Sequence, residues 1–470
     1  MLFNSFAFLI FFPAVVLLYF LLPHKFRWLF LLLASYYFYM NWKPVYAILI
    51  FASTIVTWSC GLILEQSSSR ARKRLFLTIS LLINFGILFT FKYFNFLNES
   101  VFSVLEYFNL RWTVPNLDLL LPVGISFYTF QAVGYTIDVY RGDLKAERNF
   151  GIYALFVSFF PQLVAGPIER AKNLLPQFKR RHTLSLERFE IGIKQMIWGY
   201  FMKVVIADRL ALFVNATYNN VDQHNGTTLL IGTFFFAIQI YCDFAGYSNI
   251  AIGAARIMGF DLMTNFRRPY FSTNIGEFWH RWHISLSTWF RDYVYIPLGG
   301  NRVSSSRNYF NIFITFVVSG IWHGANWTFV IWGGLHGFYI TIQKYFGLDK
   351  LRFAKFTALK FGLILLNFIL VLLAWIFFRA NSVSDAFQIV GKIFTDPGIP
   401  FKGNITTYIY GLFGLAILLI KEIHDEYFPE KYRFFESDKP LVGAFAGALM
   451  IVIILSIGVF DGGQFIYFQF

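Results

Sequence analysis

Four of the eight histidines in this chain, His280, His283, His323 and His336, fall within fewer than sixty residues of apolar, aromatic-rich sequence. His323 lies in NIFITFVVSGIWHGANWTFVIWGGLHG (311–337), with Arg307 the last full charge before it and Lys344 the first after it. An imidazole in hydrocarbon-like surroundings is costly unless it has a partner or a task, so an intramembrane ionisable group is a functional candidate by default. Counted from Arg307 along a helix at about 1.5 Å per residue, His323 would sit roughly 24 Å up a hydrocarbon core of about 30 Å. On such a helix Asn326 and Trp327, at i+3 and i+4, share its face and offer a hydrogen-bond partner and an aromatic wall. Apolar surroundings favour the neutral imidazole, the form a general base requires. A histidine that only hydrogen-bonds across helices fits the same residues equally well.

The second concentration is FWHRWHISLSTWFRDYVYIPLGG (278–300). Glu277, His280, Arg281, His283 and Ser287 crowd two turns, with His280 and His283 neighbours at i and i+3. Arginines such as Arg281 and Arg291 suit bidentate phosphate contacts, so the cluster could receive a phosphate-bearing donor. A helix laced by its own ion pairs is the plain alternative. His336, about 220° further round a continuous helix from His323, is read as structural unless the Gly333–Gly334 pair breaks that helix. His24, His182, His224 and His424 lie at loops or ends. The sequence contains no phosphate-binding loop, HExxH, GxSxG or dinucleotide fingerprint. Cys60 and Cys242 lie far apart without ligand spacing, so neither a disulfide framework nor a metal site is expected.

Positioning these residues is the task of a membrane bundle. The 470 residues are 57% hydrophobic and 14% charged, against about 25% charged in soluble domains, which gives an all-α polytopic membrane protein. The net charge of +14 is spread in short basic clusters between apolar spans, a positive-inside pattern rather than a nucleic-acid surface. The N-terminal stretch lacks a basic n-region and a small-residue cleavage site, and reads as a retained first span.

Spans are expected at about 5–23, 27–42, 45–64, 75–91, 118–138, 189–207, 227–246, 356–378, 405–421 and 441–460, for ten to thirteen membrane segments in a single domain, 1–470. Segments 92–117 and 209–225 would face the exterior. Basic clusters flank the run 150–168 on both sides, and Pro161, Gly166 and Pro167 interrupt it. That run is therefore expected to be re-entrant, which is tolerated only where backbone is buried in protein or lines a cavity. Residues 256–308 read as a cytoplasmic or half-inserted module. Arg307 and the set Lys344, Lys350, Arg352, Lys355 and Lys360 both indicate the inside, so 309–343 should be a helical pair, broken near Gly320 or Gly333–Gly334.

The segments 281–300 and 319–337 closely resemble the membrane-bound O-acyltransferase family, in its bacterial alginate-O-acetylation-like branch. LPVGISFYTFQAVGYTIDVYRG (121–142), FFPQLVAGPIER (159–170), QIYCDFAGYSNIAIGAARIMGF (239–260), WIFFRANSVSDAF (375–387) and FIYFQF (465–470) extend the similarity from end to end. The resemblance implies a helical bundle with re-entrant segments around a transmembrane tunnel in a bacterial cytoplasmic membrane. By motif, His323 is its deep catalytic histidine and His283 the second marked one, expected to serve catalysis by orienting the donor near the cytoplasmic mouth. It implies acetyl-CoA or another acetyl thioester as donor substrate, with no bound cofactor or metal. The acceptor would be an extracytoplasmic polysaccharide, reached directly or through a secreted SGNH-like partner. Asn326 or a nearby backbone N–H would stabilise the oxyanion, and Arg281, His280 and Arg291 would stand at the donor mouth. His280 departs from the family pattern, which often carries Arg or another polar residue there. A transporter of a lipid-linked sugar is the rival from another class, but it predicts inverted repeats that the sequence does not show. A phospholipid O-acyltransferase is the rival within the class.

Overall fold

The computed structural model describes residues 1–164, 166–351, 357–428, 440–460, 465 and 466. The expected basic residues Arg352 and Lys355, and most of the FIYFQF ending, lie outside the described residues. Among the described residues every regular element is a helix or a 3₁₀ or π turn. Five helices are long and apolar enough to cross a membrane, Pro44–Gln66, Arg70–Tyr107, Gly226–Ile257, Ala358–Arg379 and Ile405–Tyr427, and Phe6–Leu21 and Leu441–Ile457 are shorter apolar helices. The chain divides into two compact units, Met1–Gly192 with Ala254–Met263, and Ile193–Gly253 with Thr264–Phe470.

In the first unit, Ala47–Gln66 packs on Arg70–Leu88 and Ile125–Arg141. Small polar side chains tie this packing together: Ser53 donates to Asn84 at 2.5 Å, Ser80 to Thr136 at 3.2 Å, and Tyr153 to Thr57 at 2.7 Å. In apolar surroundings such bonds replace the hydrophobic drive between helices. The expected re-entrant run is broken at Phe159 into Phe150–Ser158 and Phe160–Leu163. Nine residues rise only about 13 Å, far short of a bilayer core, so this run does not span by itself. The break survives because side chains replace the lost ladder. Phe160 N–H donates to Ser35 Oγ at 3.1 Å, and the Phe156 carbonyl accepts from Gln131 Nε2 and Gln162 Nε2 at 2.7 Å each.

Several boundaries differ from the sequence reading. The helix expected to end near 91 passes through a π turn at Phe89–Tyr93 and continues to Tyr107, so most of 92–117 is helical. The 118–138 span starts only at Ile125, because Pro122 and the left-handed Gly124 precede it. Residues 209–225 are not one outer loop, since Asp208–Tyr218 continues the preceding helix after the π segment Phe201–Ala207.

In the second unit, the 227–246 span extends as Gly226–Ile257. Three of its polar residues are bonded from neighbouring segments: Asp243 by Lys203 at 2.6 Å, Ser248 by Asn265 at 3.2 Å and Asn249 by Gln195 at 3.1 Å. Of the region 256–308, residues 264–308 belong to this unit, with Phe278, Trp282 and His283 fully buried, and 256–263 belong to the first. The pair expected at 309–343 is present as Ser305–His323 and Trp327–Tyr345, but the break falls at Gly324–Asn326. Gly320 and Gly333 instead form the seam of this hairpin. A Cβ on Gly320 would drive into the Phe329 carbonyl, and one on Gly333 into the Phe316 carbonyl, so only glycine lets the two backbones close.

Candidate active site

His323 is the last residue of the first hairpin helix and is 2% exposed. The helix ends there because Gly324 is extended and Asn326 caps the next helix, its Oδ1 accepting from Thr328 N–H at 2.9 Å. Three aromatic rings enclose the imidazole edge-to-face, Trp322 and Trp332 at 4.9 Å between centroids and Phe378 at 5.4 Å. The aromatic wall expected from Trp327 is thus supplied by other residues, and Trp327 itself is 54% exposed. The i+3 argument for Asn326 fails for the same reason: the helix stops before it. The Asn326 side chain is engaged in its cap and donates to the Asn381 carbonyl at 3.2 Å.

His283 sits between Ile275–Arg281 and Ile284–Phe290 in the left-handed region, φ 42°. Asn265 holds this strained turn. Its backbone carbonyl accepts from Ile284 N–H at 2.9 Å, and its Oδ1 accepts from Ser285 N–H at 3.2 Å and Ser285 Oγ–H at 2.9 Å. The same Oδ1 lies 3.2 Å from His283 Nδ1, which must therefore carry the proton. The imidazole stands edge-on to Phe244 at 4.5 Å. Trp322 is a shared neighbour of His283 and His323, at 6.2 Å from the one and 4.9 Å from the other. His283 is completely buried, which differs from its expected place at a donor mouth.

His336 is fully buried on the second hairpin helix, with Trp279 Nε1–H donating to its Nδ1 at 3.2 Å. Trp332 lies between it and His323, 5.0 Å from the one and 4.9 Å from the other.

The donor-mouth candidates separate. Arg281 is spent on carboxylates, Glu277 at 2.7 Å and Glu426 at 3.0 Å, and Glu426 also takes Arg268 at 2.7 Å; the ion-pair alternative holds for this residue. His280 and Arg291, the latter paired with Asp292 at 2.8 Å, line a cavity of about 270 Å³ with Trp279, Phe290, Phe316 and Ser319. Ser319 is one turn before His323 on the same helix, so this largely apolar space reaches the level of the buried histidine. A second cavity, about 590 Å³ and more polar, shares His280 with it and adds Lys344 and Lys360.

Two groups escaped sequence reasoning. Asn265 carries no motif signal. The other is a fully buried cluster in which Lys203 Nζ meets Asp243 at 2.6 Å and Asp208 at 2.8 Å, while Asp243 also accepts Ile466 N–H at 2.7 Å. A lysine and aspartates in neighbouring apolar runs were the available signal.

Apolar helices of spanning length, interrupted segments and a histidine caged by aromatic rings define a multi-pass membrane protein. The chain belongs to the membrane-bound O-acyltransferase family, whose pattern its residues 148–383 match. It is an acyltransferase. The "Probable alginate O-acetylase" of Pseudomonas putida is 40% identical over 397 residues, covering 84% of this chain and 80% of its own length. The "Peptidoglycan O-acetyltransferase" of Helicobacter pylori is 36% identical over 390 residues, covering 77% of this chain and 72% of its own length. The "Teichoic acid D-alanyltransferase" of Streptococcus thermophilus is 33% identical over 239 residues, 48% of this chain and 57% of that protein.

Proposed function

We propose that this enzyme takes an acetyl group from a cytoplasmic acetyl thioester, such as acetyl-CoA, and delivers it across a bacterial cytoplasmic membrane for O-acetylation of an extracytoplasmic polysaccharide, directly or through a secreted SGNH-like partner. The observation that carries the reading is His323 in its aromatic cage, one turn from a cavity opened by His280 and Arg291. Acetyl is favoured over D-alanyl because the O-acetyl-transferring relatives match more of the chain at higher identity.

His323 acts as the general base. A ring nitrogen takes the proton of the acceptor hydroxyl as its oxygen forms the new C–O bond to the acetyl carbonyl. A backbone N–H of the turn after His323, rather than the capped Asn326 side chain, stabilises the oxyanion. The tetrahedral intermediate collapses, the C–S bond breaks, and the leaving thiolate recovers the proton from the imidazolium. The thioester is already activated, so the protein supplies the base, the alignment and a water-poor site. His283, locked by Asn265, positions the Trp322 wall. Arg291 and His280 draw the anionic donor to the cavity.

The test is transfer of labelled acetyl from acetyl-CoA by purified protein in lipid, with cell-envelope glycan or secreted proteins as acceptors. His323→Ala should lower transfer by about 10²- to 10⁴-fold at unchanged folding. Normal transfer by that variant would sink the mechanism. Label found instead in phospholipid would favour the lipid-acylating reading, and folded protein that transfers to no acceptor would favour transport.

A further inference from the structure

A cavity of about 620 Å³ in the first unit is walled by the short helix Ala171–Lys179, the loop after it with His182, and residues 259–263. That helix buries Ala171, Leu174, Leu175 and Phe178 and turns its polar face to the cavity. Lys172, Arg180 and Arg181 line the space, and among the described residues their side chains have no partner. Three other basic residues of this unit are paired with carboxylates: Arg148 with Glu65, Lys179 with Glu147 and Arg188 with Asp261. The carboxylates at the cavity are already committed, Asp261 to Arg188 and Glu169 to the Met263 N–H. A net positive hollow remains.

The hollow is also pre-formed. Arg27 donates to the His182 carbonyl at 2.6 Å, the His182 ring bonds the Gln177 carbonyl at 2.8 Å, and Gln177 holds the Asp261 backbone by bonds of 2.8 and 3.0 Å. Immediately beyond the two arginines, Leu184, Leu186 and Phe189 stand 56%, 81% and 41% exposed. Cations in a fixed hollow followed at once by bare apolar side chains match a molecule with a phosphate at one end and hydrocarbon at the other. We propose that this cavity binds the headgroup phosphate of an anionic phospholipid, with its chains laid against Leu184, Leu186 and Phe189. A soluble phosphate, such as that of a nucleotide-bearing donor, would use the cations and leave the leucines bare.

Retention of phosphatidylglycerol against phosphatidylcholine by the purified full chain, read by native mass spectrometry, tests this without reference to acyl transfer. The wild type should retain phosphatidylglycerol preferentially. The combined change Lys172→Gln, Arg180→Gln and Arg181→Gln should reduce that retention about tenfold or more, while Arg148→Gln, which removes a paired cation, leaves it unchanged. Should the triple variant not fold, Arg181→Glu alone must lower retention in the same direction. Adenosine 3′,5′-bisphosphate should not displace the lipid. Equal retention by wild type and variant, or displacement of lipid by the nucleotide, would overturn the proposal, the latter by assigning the hollow to a soluble phosphate.

Discussion

Asn265 illustrates how much chemistry can rest on a residue that does none. One side-chain oxygen takes the His283 ring proton, a backbone N–H and a hydroxyl, and so fixes both the tautomer and the left-handed turn that aims the ring. Asn265→Ala should lower kcat by about tenfold to a hundredfold through misalignment, and combining it with His283→Ala should add little, because both remove one interaction. A double-mutant cycle on acetyl transfer reads this directly. Glu277 gives a pH-dependent counterpart. Burial pushes its carboxyl up, but hydrogen bonds from Thr273 and the Arg281 charge outweigh that and hold it below its ordinary 4.5. A depressed carboxylate pKa stabilises the folded state fully above the ordinary value, and the contribution is lost as pH falls through the lowered one. Thermal unfolding of the wild type should therefore weaken below about pH 4.5 more steeply than that of Glu277→Gln.

At the scale of elements, the hairpin Ser305–His323 and Trp327–Tyr345 is the device that brings the caged imidazole to a helix end. Its closure depends on glycine at 320 and 333, where a methyl would meet a carbonyl of the opposite helix. Gly320→Ala should cost about 1–3 kcal/mol by overpacking and displace His323 with loss of transfer. Gly362→Ala, where an added Cβ meets nothing within 4 Å, should be neutral or slightly stabilising because alanine favours helix. Melting temperature and activity of the two variants, measured side by side, separate the seam from general glycine effects.

For the molecule as a whole, the buried Lys203, Asp208 and Asp243 set the stakes in the second unit, where they tie two long helical segments to the backbone at Ile466. Removing one partner strands charge in an apolar interior. Lys203→Met should destabilise by about 3–5 kcal/mol, and adding Asp208→Asn with Asp243→Asn should restore much of that loss. Thermal unfolding in detergent, comparing the single and triple variants, is the check. If the triple variant were as unstable as the single, the lysine would matter through its packing instead.

Apolar runs, basic clusters and Pro/Gly interruptions were enough to make this a polytopic helical protein, to mark 150–168 as broken and 309–343 as paired, and to raise His323 as a candidate, because hydrophobicity and charge act locally. What lay beyond local reading was every contact between distant segments. The i+3 relation of Asn326 to His323 assumed a helix that ends at the histidine itself. Gly320 and Gly333 look like breakers in one dimension and are seam residues in three. Arg281 could not be told from a donor-binding arginine until Glu426, far along the chain, was found against it. Long-range pairing decided the cage of Trp322, Trp332 and Phe378, the anchoring of His283 by Asn265 and the Lys203 cluster, since the energy of each depends on which helices meet and how closely, and composition carries no record of that.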